Sequence, residues 1–268
     1  MIGRYDLVVI GGGMVGLALA AAVDESKKVA VVEAQEPKPF NDADDFDLRV
    51  VALNRASQNL LQNLGAWEPL KAMRAYAYER MHVWDTGGNG LIEFTAGDVG
   101  EPDLGHIAES RLVQLALLDV VRKKSNVDVI CPARVERFMV DDKEAVVTLE
   151  DGSLLMTPLI VGADGANSWV RQQAGIDVKR QDYAQQGIVA AVRTAYDHEY
   201  TAWQRFQPDG VLAFLPMSDH WSSIVWSVEE MRAQQLLELS EEDFIAELGA
   251  AFDFKLGMIE EIGSRAGF

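Results

Sequence analysis

The segment LVVIGGGMVGLALAAAV, residues 7–23, contains three glycines whose backbone could contact a ligand together. Gly11, Gly13 and Gly16 have the spacing G-x-G-x-x-G. In such a loop the first glycine permits a tight turn, the second lets backbone approach a pyrophosphate, and the third lets a helix and a strand pack closely. The spacing therefore indicates a phosphate-binding turn, provided that a strand precedes it and a helix follows.

The flanking residues predict those two elements. The continuous apolar run 7–10 is typical of a buried parallel strand, and residues 15–23 predict a helix with little polar interruption. The amide groups at the start of that helix, at Met14 and Val15, would then bind the pyrophosphate.

A second apolar run, residues 29–32, predicts another short strand and is followed by Glu33. An acidic side chain about twenty residues beyond such a loop accepts hydrogen bonds from a ribose hydroxyl. Strand, loop, helix, strand and acid together predict an adenine dinucleotide site. The alternative, a glycine turn that serves helix packing alone with Glu33 as a solvated strand end, requires all five to coincide.

Composition excludes several other classes of protein. The chain has 268 residues, 49% of them hydrophobic, and a formal net charge of -18 without a dense basic run, which argues against nucleic-acid binding. The single cysteine, Cys131, makes neither an intramolecular disulfide nor a thiolate metal site, so a cytoplasmic protein is expected. The four histidines are far apart in sequence, no metal site is predicted, and no segment predicts a signal peptide or a membrane span.

The regular alternation of strands and helices stops after Glu33. Residues 36–48, EPKPFNDADDFDL, predict a polar, acid-rich loop, and a helix is predicted from about residue 55 to residue 64, ending at Gly65. Between residues 127 and 157, short strands with turn signals predict an antiparallel meander. These turn signals are Asp141–Asp142 and Asp151–Gly152.

Three separated elements resemble the class A flavoprotein monooxygenases, the family of para-hydroxybenzoate hydroxylase. They are the dinucleotide loop ending at Glu33, the stretch DLRVVALNRASQNLLQNLGAW and the stretch VGADGANSWVR. Within that family, LGHIAESRLVQLALLDVV and GADGANSWVRQQAGI are similar to the aromatic hydroxylases of ubiquinone biosynthesis. The stretch TAWQRFQPDGVLAFLPMSDHWSSIVW is most similar to the members that act late, on a polyprenyl methyl-methoxy-benzoquinol.

The resemblance implies FAD as the cofactor, NAD(P)H as co-substrate, and a set of FAD contacts. Arg49 and Arg111 would contact the ribityl and pyrophosphate region, and Val135 would touch the adenine side through its backbone. Asp164 and Gly165 would line the approach of the pyrophosphate and the nicotinamide. The plainer alternatives are that Arg111 is a surface charge and that Asp164–Gly165 is only a turn.

The resemblance also implies the reaction. Members insert one oxygen atom of O₂ into the ring of a polyprenylated phenol or quinol, and the protein supplies a dry pocket that protects the flavin hydroperoxide from water. We expect Phe214, Ile224 and Trp226, on strands of a second sheet, to form a wall of that pocket, with plain core residues as the alternative. The rival functions are a flavin oxygenase acting on another phenol and an inactive, FAD-free fragment with a binding or assembly role.

The resemblance also predicts the partners and the location of the protein. We expect a polyprenylated aromatic substrate, membership of a ubiquinone-biosynthesis protein complex, no nucleic acid, and at most peripheral contact with a membrane. The location is cytoplasmic or peripheral to the inner membrane.

The predicted fold is α/β, with a Rossmann-like FAD-binding domain interleaved with a mixed-sheet substrate domain. Residues 1–74 and 103–178 would form the first domain, from a parallel sheet and the antiparallel meander, and residues 75–102 and 179–268 the second. The family's third FAD motif, a Gly-Asp before a glycine-rich helix start, has no match here. We therefore read the chain as a C-terminally truncated member and expect it to be isolated without FAD and without hydroxylase activity.

Overall fold

The computed structural model describes residues 2–88 and 90–268, which form helices, strands and one short 3₁₀ helix at Ala96–Val99. The helices are α1 (Met14–Ala22), α2 (Arg55–Asn63), α3 (Trp67–Met73), α4 (Ser110–Lys123), α5 (Trp169–Gln173), α6 (Glu230–Glu238) and α7 (Glu241–Ala251). The first nine strands are β1 (Ile2–Arg4), β2 (Leu7–Ile10), β3 (Val29–Val32), β4 (Val50–Leu53), β5 (Tyr76–Tyr78), β6 (Arg80–Asp85), β7 (Leu91–Thr95), β8 (Gly105–Glu109) and β9 (Val127–Ile130). The remaining strands are β10 (Val135–Val140), β11 (Ala145–Leu149), β12 (Leu154–Thr157), β13 (Ile160–Gly162), β14 (Gln185–Thr194), β15 (Thr201–Gln207), β16 (Gly210–Pro216), β17 (Trp221–Glu229) and β18 (Ile259–Gly267).

The chain divides into two compact units. The glycine-loop unit comprises Met1–Asn41, Asn59–Met73 and Arg111–Lys179, and the large-sheet unit comprises Asp42–Gln58, Arg74–Ser110 and Arg180–Phe268. Contacts thus place residues 42–58 and 103–110 in the large-sheet unit, whereas the sequence-based domains assigned them to FAD binding. Those functional domain boundaries stay a prediction.

The glycine-loop unit contains two sheets of four strands each. In the first, the order β13-β2-β3-β9 is parallel throughout, and every residue of β2 and β3 is buried. Strands buried on both faces are continuous apolar runs, which is why the sequence predicted both strands with the observed bounds. In the second sheet, β1-β12-β11-β10, strands β10, β11 and β12 form the antiparallel meander, with turns at Asp141–Glu144 and at Gly152. The predicted meander also included residues 127–130, and this part was wrong, because they form β9 and pair parallel with β3 in the first sheet. The α/β fold class is therefore confirmed.

The large-sheet unit is built on seven strands in the order β18-β14-β17-β16-β15-β6-β7. All neighbours are antiparallel except β15 and β6. Side chains of a strand alternate between the two faces of a sheet, so each face has its own core. Helices α6 and α7 cover one face, and side chains around Tyr78, Ile107 and Ala191 pack on the other.

The structure places the three predicted pocket-wall residues in the helix-covered core. Phe214 and Ile224 have no exposed surface, Trp226 is 3% exposed, and all three belong to the cluster that includes residues of α6 and α7. Phe214 stacks on Phe252 with ring centroids 3.8 Å apart. The prediction is corrected accordingly: these side chains stabilise the sheet, because alternation turns them away from the opposite face, and that face is the one with an open cavity.

We expect Phe214→Ala to destabilise the protein. Removal of a buried, stacked phenylalanine leaves a cavity and lowers the free energy of unfolding by about 3 to 5 kcal/mol. The matched control is Phe206→Ala on neighbouring β15, where the ring is 46% exposed and the change in stability stays small. Urea unfolding followed by circular dichroism measures both, and equal midpoints would contradict the core assignment.

Candidate dinucleotide site and ring cavity

A cavity of about 580 Å³ opens at the carboxyl ends of β2 and β3 in the glycine-loop unit. In open parallel sheets, ligands bind at this edge of the strands. Its lining residues are Ile10, Gly11, Gly13, Val32, Glu33, Ala34, Ala133, Arg134, Val135, Glu150, Ala163, Asp164, Gly165 and Trp169.

The three loop glycines meet three different constraints. Gly11 has a φ of +111°, and a Cβ there would lie 2.4 Å from the carbonyl oxygen of Ala163. A Cβ on Gly16 would lie 2.0 Å from the carbonyl oxygen of Gly11, so α1 and the end of β2 are closer than any side chain permits. A Cβ on Gly13 would meet nothing within 4 Å. Gly11 and Gly16 are thus required by the fold itself, whereas Gly13 leaves open space beside the cavity.

Helix α1 begins without a side-chain cap. Its N-cap is Gly13, and the first backbone bond that returns to the cap is from the N–H of Leu17 to the carbonyl of Gly13. The N–H groups of the first turn, including those of Met14 and Val15, therefore have no acceptor within the helix. Together with the positive end of the helix dipole, these groups favour an anionic group at this point.

Two backbone N–H groups fix the position of the Glu33 carboxylate. Its Oε2 accepts a hydrogen bond from the N–H of Gly12 at 2.6 Å, and its Oε1 accepts one from the N–H of Gln35 at 2.9 Å. Each carboxylate oxygen can accept a further hydrogen bond, as a ribose with two hydroxyls requires. Its main chain is fixed by bonds to Ile130 and Ala133.

Asp164 and Gly165 also line this cavity. The Asp164 carboxylate accepts hydrogen bonds from the hydroxyl of Ser168 and, at 3.0 Å, from the N–H of Val170. Partial burial opposes ionisation, but the bonds from Ser168 and Val170 prevail and lower the pKa of Asp164. Gly165 follows with a φ of +87°. The aspartate thus ties the turn to the start of α5 as an ionised group at neutral pH.

Gln114 is a residue that the sequence reasoning missed. Its Nε2 donates to the carbonyl of Gly12 at 2.7 Å and so fixes the peptide between the first two loop glycines. Its position three residues after Arg111 on an amphipathic helix puts both on one side of α4. That spacing is the signal that could have found it.

Comparisons with known proteins identify the family. A family model described as an FAD binding domain matches residues 4–263. The 3-demethoxyubiquinol 3-hydroxylase of Escherichia coli K12 is 34% identical over 262 residues, which cover 97% of this chain and 67% of that protein. The mitochondrial ubiquinone biosynthesis monooxygenase COQ6 of Rattus norvegicus is 36% identical, over 92% of this chain and 55% of that protein.

The chain belongs to this FAD-binding family of flavoproteins. It spans about two thirds of the bacterial relative and little more than half of the rat one.

Solved structures show the same fold at low sequence identity. PqsL of P. aeruginosa, in complex with 2-aminobenzoylacetate, has a TM-score of 0.81 at 19% identity and covers 99% of this chain and 73% of its own. The p-nitrophenol 4-monooxygenase PnpA of Pseudomonas putida DLL-E4 has a TM-score of 0.75 at 18% identity, over 100% of this chain and 68% of its own.

The residues of the glycine-loop unit fit FAD. The open face at Gly13, the uncapped start of α1 and the fixed Glu33 carboxylate are the features that a pyrophosphate and a ribose require. The cavity volume of about 580 Å³ lies within the range of ordinary cofactor sites. Of the predicted contacts, Gly11, Gly13, Glu33, Val135, Asp164 and Gly165 line this cavity.

Other predicted FAD contacts lie outside that lining. Met14 and Val15 are in the first turn of α1, and Gly16 is buried against β2. Arg111 donates from Nη1 to the carbonyls of Lys38 and Pro39, at 2.9 and 3.1 Å, and so orders the start of the acid-rich loop. Arg49 belongs to the large-sheet unit, where its guanidinium lies 5.0 Å from the ring centroid of Phe268. Roles for both arginines in FAD binding stay predictions.

The large-sheet unit has its own cavity of about 300 Å³, which we call the ring cavity. Three aromatic side chains define it: the ring centroid of Phe46 lies 6.4 Å from that of Tyr76 and 5.6 Å from that of Trp221. The other lining residues are Asp42, Asp44, Asp45, Arg74, Ala191, Ser218, Gly263 and Ser264.

Two features are absent from the described residues: a helix that could span a membrane and a cluster that could hold a metal ion. Over residues 2–88 and 90–268, the helices include none that is long and apolar enough to cross a membrane. In the same ranges, no cluster of three or more His, Cys, Asp or Glu side chains is placed to hold a metal ion.

We expect Gly13→Ala to separate FAD binding from folding. The new methyl group enters open space. Alanine is a poorer N-cap than glycine, which destabilises the protein, but it makes the unfolded chain less flexible, which stabilises it. Because the two effects oppose each other, the free energy of unfolding stays within about 1 kcal/mol of the wild-type value. FAD affinity falls on the order of tenfold, because the methyl group hinders close approach to the backbone. Titration of flavin fluorescence and thermal denaturation measure the two effects.

Gly97→Ala is the control, because the nearest atom to its Cβ, the Thr95 hydroxyl, is 3.6 Å away and lies in the large-sheet unit. It should change neither quantity. Unchanged FAD affinity in Gly13→Ala would contradict the placement of the pyrophosphate.

Proposed function

We propose that this chain acts as part of an FAD-dependent monooxygenase that hydroxylates the ring of a polyprenyl phenol or benzoquinol in ubiquinone biosynthesis. The observation that carries the proposal is the fixed Glu33 carboxylate beside the open face of Gly13, in a chain that is 34% identical to a 3-demethoxyubiquinol 3-hydroxylase. In the balanced reaction, the ring C–H, O₂, NAD(P)H and a proton give the ring C–OH, NAD(P)⁺ and water. FAD, when bound, supplies the redox chemistry, taking a hydride from NAD(P)H and activating O₂.

The glycine-loop unit would hold the adenosine and pyrophosphate part of FAD. The N–H groups at the start of α1 receive the pyrophosphate, and Glu33 accepts hydrogen bonds from the ribose. Val135, at the start of β10, lies in the cavity lining where the adenine side is proposed. Gln114 acts as a positioning residue, because it fixes the Gly12 carbonyl on the loop.

The ring cavity of the large-sheet unit would hold the substrate ring. Phe46, Tyr76 and Trp221 offer aromatic faces, which favour stacked or edge contacts with another ring. Burial raises the pKa of Tyr76, so its phenol stays protonated at neutral pH and can exchange hydrogen bonds with Ser218 and with a ring oxygen of the substrate. A cavity of about 300 Å³ is about twice the size of one that holds benzene, about 150 Å³.

Arg74 keeps this cavity in shape. Its Nη2 donates to the carbonyls of Asp42 and Asp44, at 3.0 and 2.6 Å, and its guanidinium lies 4.9 Å from the ring centroid of Phe46. Its Nη1 pairs with Glu109, which is 1% exposed and also accepts from the N–H of Asp47. The arginine therefore fixes the loop that carries Phe46. The fixed loop restricts the entry of water to the substrate ring.

We also propose the partners and location that this function needs. The names of the relatives support a polyprenylated aromatic substrate, and the apolar tail of such a substrate favours contact with a membrane surface. A ubiquinone-biosynthesis protein complex, peripheral contact with the inner membrane and a cytoplasmic location follow as proposals.

Deletion of the gene tests the function directly. The deletion strain should accumulate a polyprenyl ubiquinone precursor that lacks one ring oxygen, and the intact gene should restore ubiquinone, as measured by mass spectrometry of extracted lipids. Accumulation of a soluble phenol with normal ubiquinone would favour an oxygenase of another substrate. Normal lipids together with no flavin in the purified protein would favour the inactive, FAD-free alternative.

In the FAD-loaded, active enzyme, Trp221→Ala should uncouple the reaction. Loss of this wall lets water reach the oxidant, so the yield of hydrogen peroxide per NAD(P)H rises several-fold, while FAD content stays at the wild-type level. Phe206→Ala is the control, since this side chain lies in the same unit but does not line the ring cavity. An unchanged peroxide yield in Trp221→Ala would remove this tryptophan from the substrate site.

A further inference from the structure

A third cavity, of about 330 Å³, lies in the large-sheet unit beside β7, and we call it the β7 cavity. Its lining is mainly hydrocarbon or aromatic, from Tyr78, Met81, Phe94, Val99 and Leu104. Hydrophobic linings of this kind favour an apolar ligand, because a polar group would lose its hydration without gaining partners.

The β7 cavity and the ring cavity are neighbours. Tyr76, which lines the ring cavity, and Tyr78, which lines the β7 cavity, lie two residues apart on β5. Residues at that spacing point to the same side of a strand and are about 7 Å apart. Met81 and Leu104 of the β7 cavity pack in the same apolar cluster as Phe46. The linings of the two cavities therefore meet along one strand and share one apolar cluster.

Exposed apolar side chains continue the β7 cavity to the surface. Strand β7 is an edge strand of the seven-stranded sheet, and Phe94 is paired in register with Met81. Ile92 is 56% exposed, Phe94 51% and Val99 64%. Soluble proteins rarely leave several large apolar side chains exposed together without a binding role.

The charge of the cavity lining favours a neutral hydrocarbon over a lipid with an anionic headgroup. Asp98 is the charged residue of the lining, and its carboxylate accepts from the N–H of Thr95 at 2.8 Å. With Asp98 in the lining, an anionic headgroup placed in this cavity would be repelled. A neutral hydrocarbon that arrives attached to the substrate meets no such repulsion.

We propose that the β7 cavity binds the first isoprenoid units of the substrate's tail while the ring occupies the ring cavity. The proposal rests on the proposed function and adds to it a site that selects substrates by their tail. A volume of about 330 Å³ is about twice that of a cavity that holds benzene, about 150 Å³, so it accommodates roughly two five-carbon units. Later units would leave across Phe94 and Ile92.

Two surface variants test the site with two probes. The probes are a methyl-methoxy-benzoquinone with a farnesyl tail and the same ring with a methyl group in its place. In Phe94→Ser and Val99→Asp, the dissociation constant of the farnesyl probe should rise about tenfold or more, because buried hydrocarbon contacts are lost. That of the methyl probe should not change. Quenching of tryptophan fluorescence and equilibrium dialysis measure binding, without turnover.

Met139→Ser and Val140→Asp are the matched controls. These side chains lie on β10 of the glycine-loop unit and are 70% and 68% exposed. Val140→Asp is the same change as Val99→Asp, and Met139→Ser also replaces a large exposed apolar side chain with serine, so the two controls report any general effect of a less apolar surface. Both should keep wild-type affinity for both probes.

The outcomes separate the tail site from the proposed function. If the wild-type protein prefers the farnesyl probe and the β7 variants keep that preference, the tail binds elsewhere and the inference fails while the function stands. If the variants instead convert a dimer into a monomer in sedimentation velocity and keep the preference, the β7 surface joins two copies and the inference also fails. If the wild-type protein binds neither probe, the proposed function fails with it.

Discussion

The contact between α1 and the end of β2 is the constraint on which the dinucleotide site depends. A Cβ at Gly16 would lie 2.0 Å from the Gly11 carbonyl oxygen, so backbone packs directly on backbone at this point. That approach sets the direction of the first turn of α1 and leaves its N–H groups at the carboxyl edge of the parallel sheet. Glu33 and Gln114 then fix the peptide groups on either side of Gly12, which leaves Gly13 as the open position of the loop.

In the large-sheet unit, a closed core and the cavities lie on opposite faces of one sheet. The face under α6 and α7 is closed, with Phe214, Ile224 and Val228 fully buried. The other face carries smaller or less buried side chains, such as Ala191 and Trp221, and has room for cavities. Antiparallel sheets allow this division because alternate residues belong to different environments. Side chains that line a cavity on the second face can therefore vary without disturbing the first.

Local patterns predicted much of the fold. The runs 7–10 and 29–32 became strands with the predicted bounds, because a strand buried on both faces is a continuous apolar run. Gly65 ends α2 with a φ of +78°, the conformation that a glycine helix stop requires. The spacing of the glycines and of Glu33 predicted residues that the structure brings to one cavity.

Long-range packing accounts for the rest. Alternation showed that the strand containing Phe214 has two faces, but nothing in the local sequence says which face α6 and α7 cover. The bond from Gln114 to Gly12 joins residues 102 positions apart, so no short motif contains it. Arg74 likewise meets Glu109 and the carbonyls of Asp42 and Asp44 only in the folded chain.

The pairing of distant strands has a consequence during protein synthesis. Strand β1 pairs with β12, where Ile2 faces Leu154, and β6 pairs with β15, where Arg80 faces Thr201. A ribosome adds roughly 5 to 20 residues per second, so β1 and β6 each wait on the order of ten seconds for their partners to emerge. During that interval β2 also lacks β13 on one side, and its wholly apolar sequence is accessible to other chains. The order of the strands, rather than their stability, therefore sets how long these short apolar segments stay unpaired during synthesis.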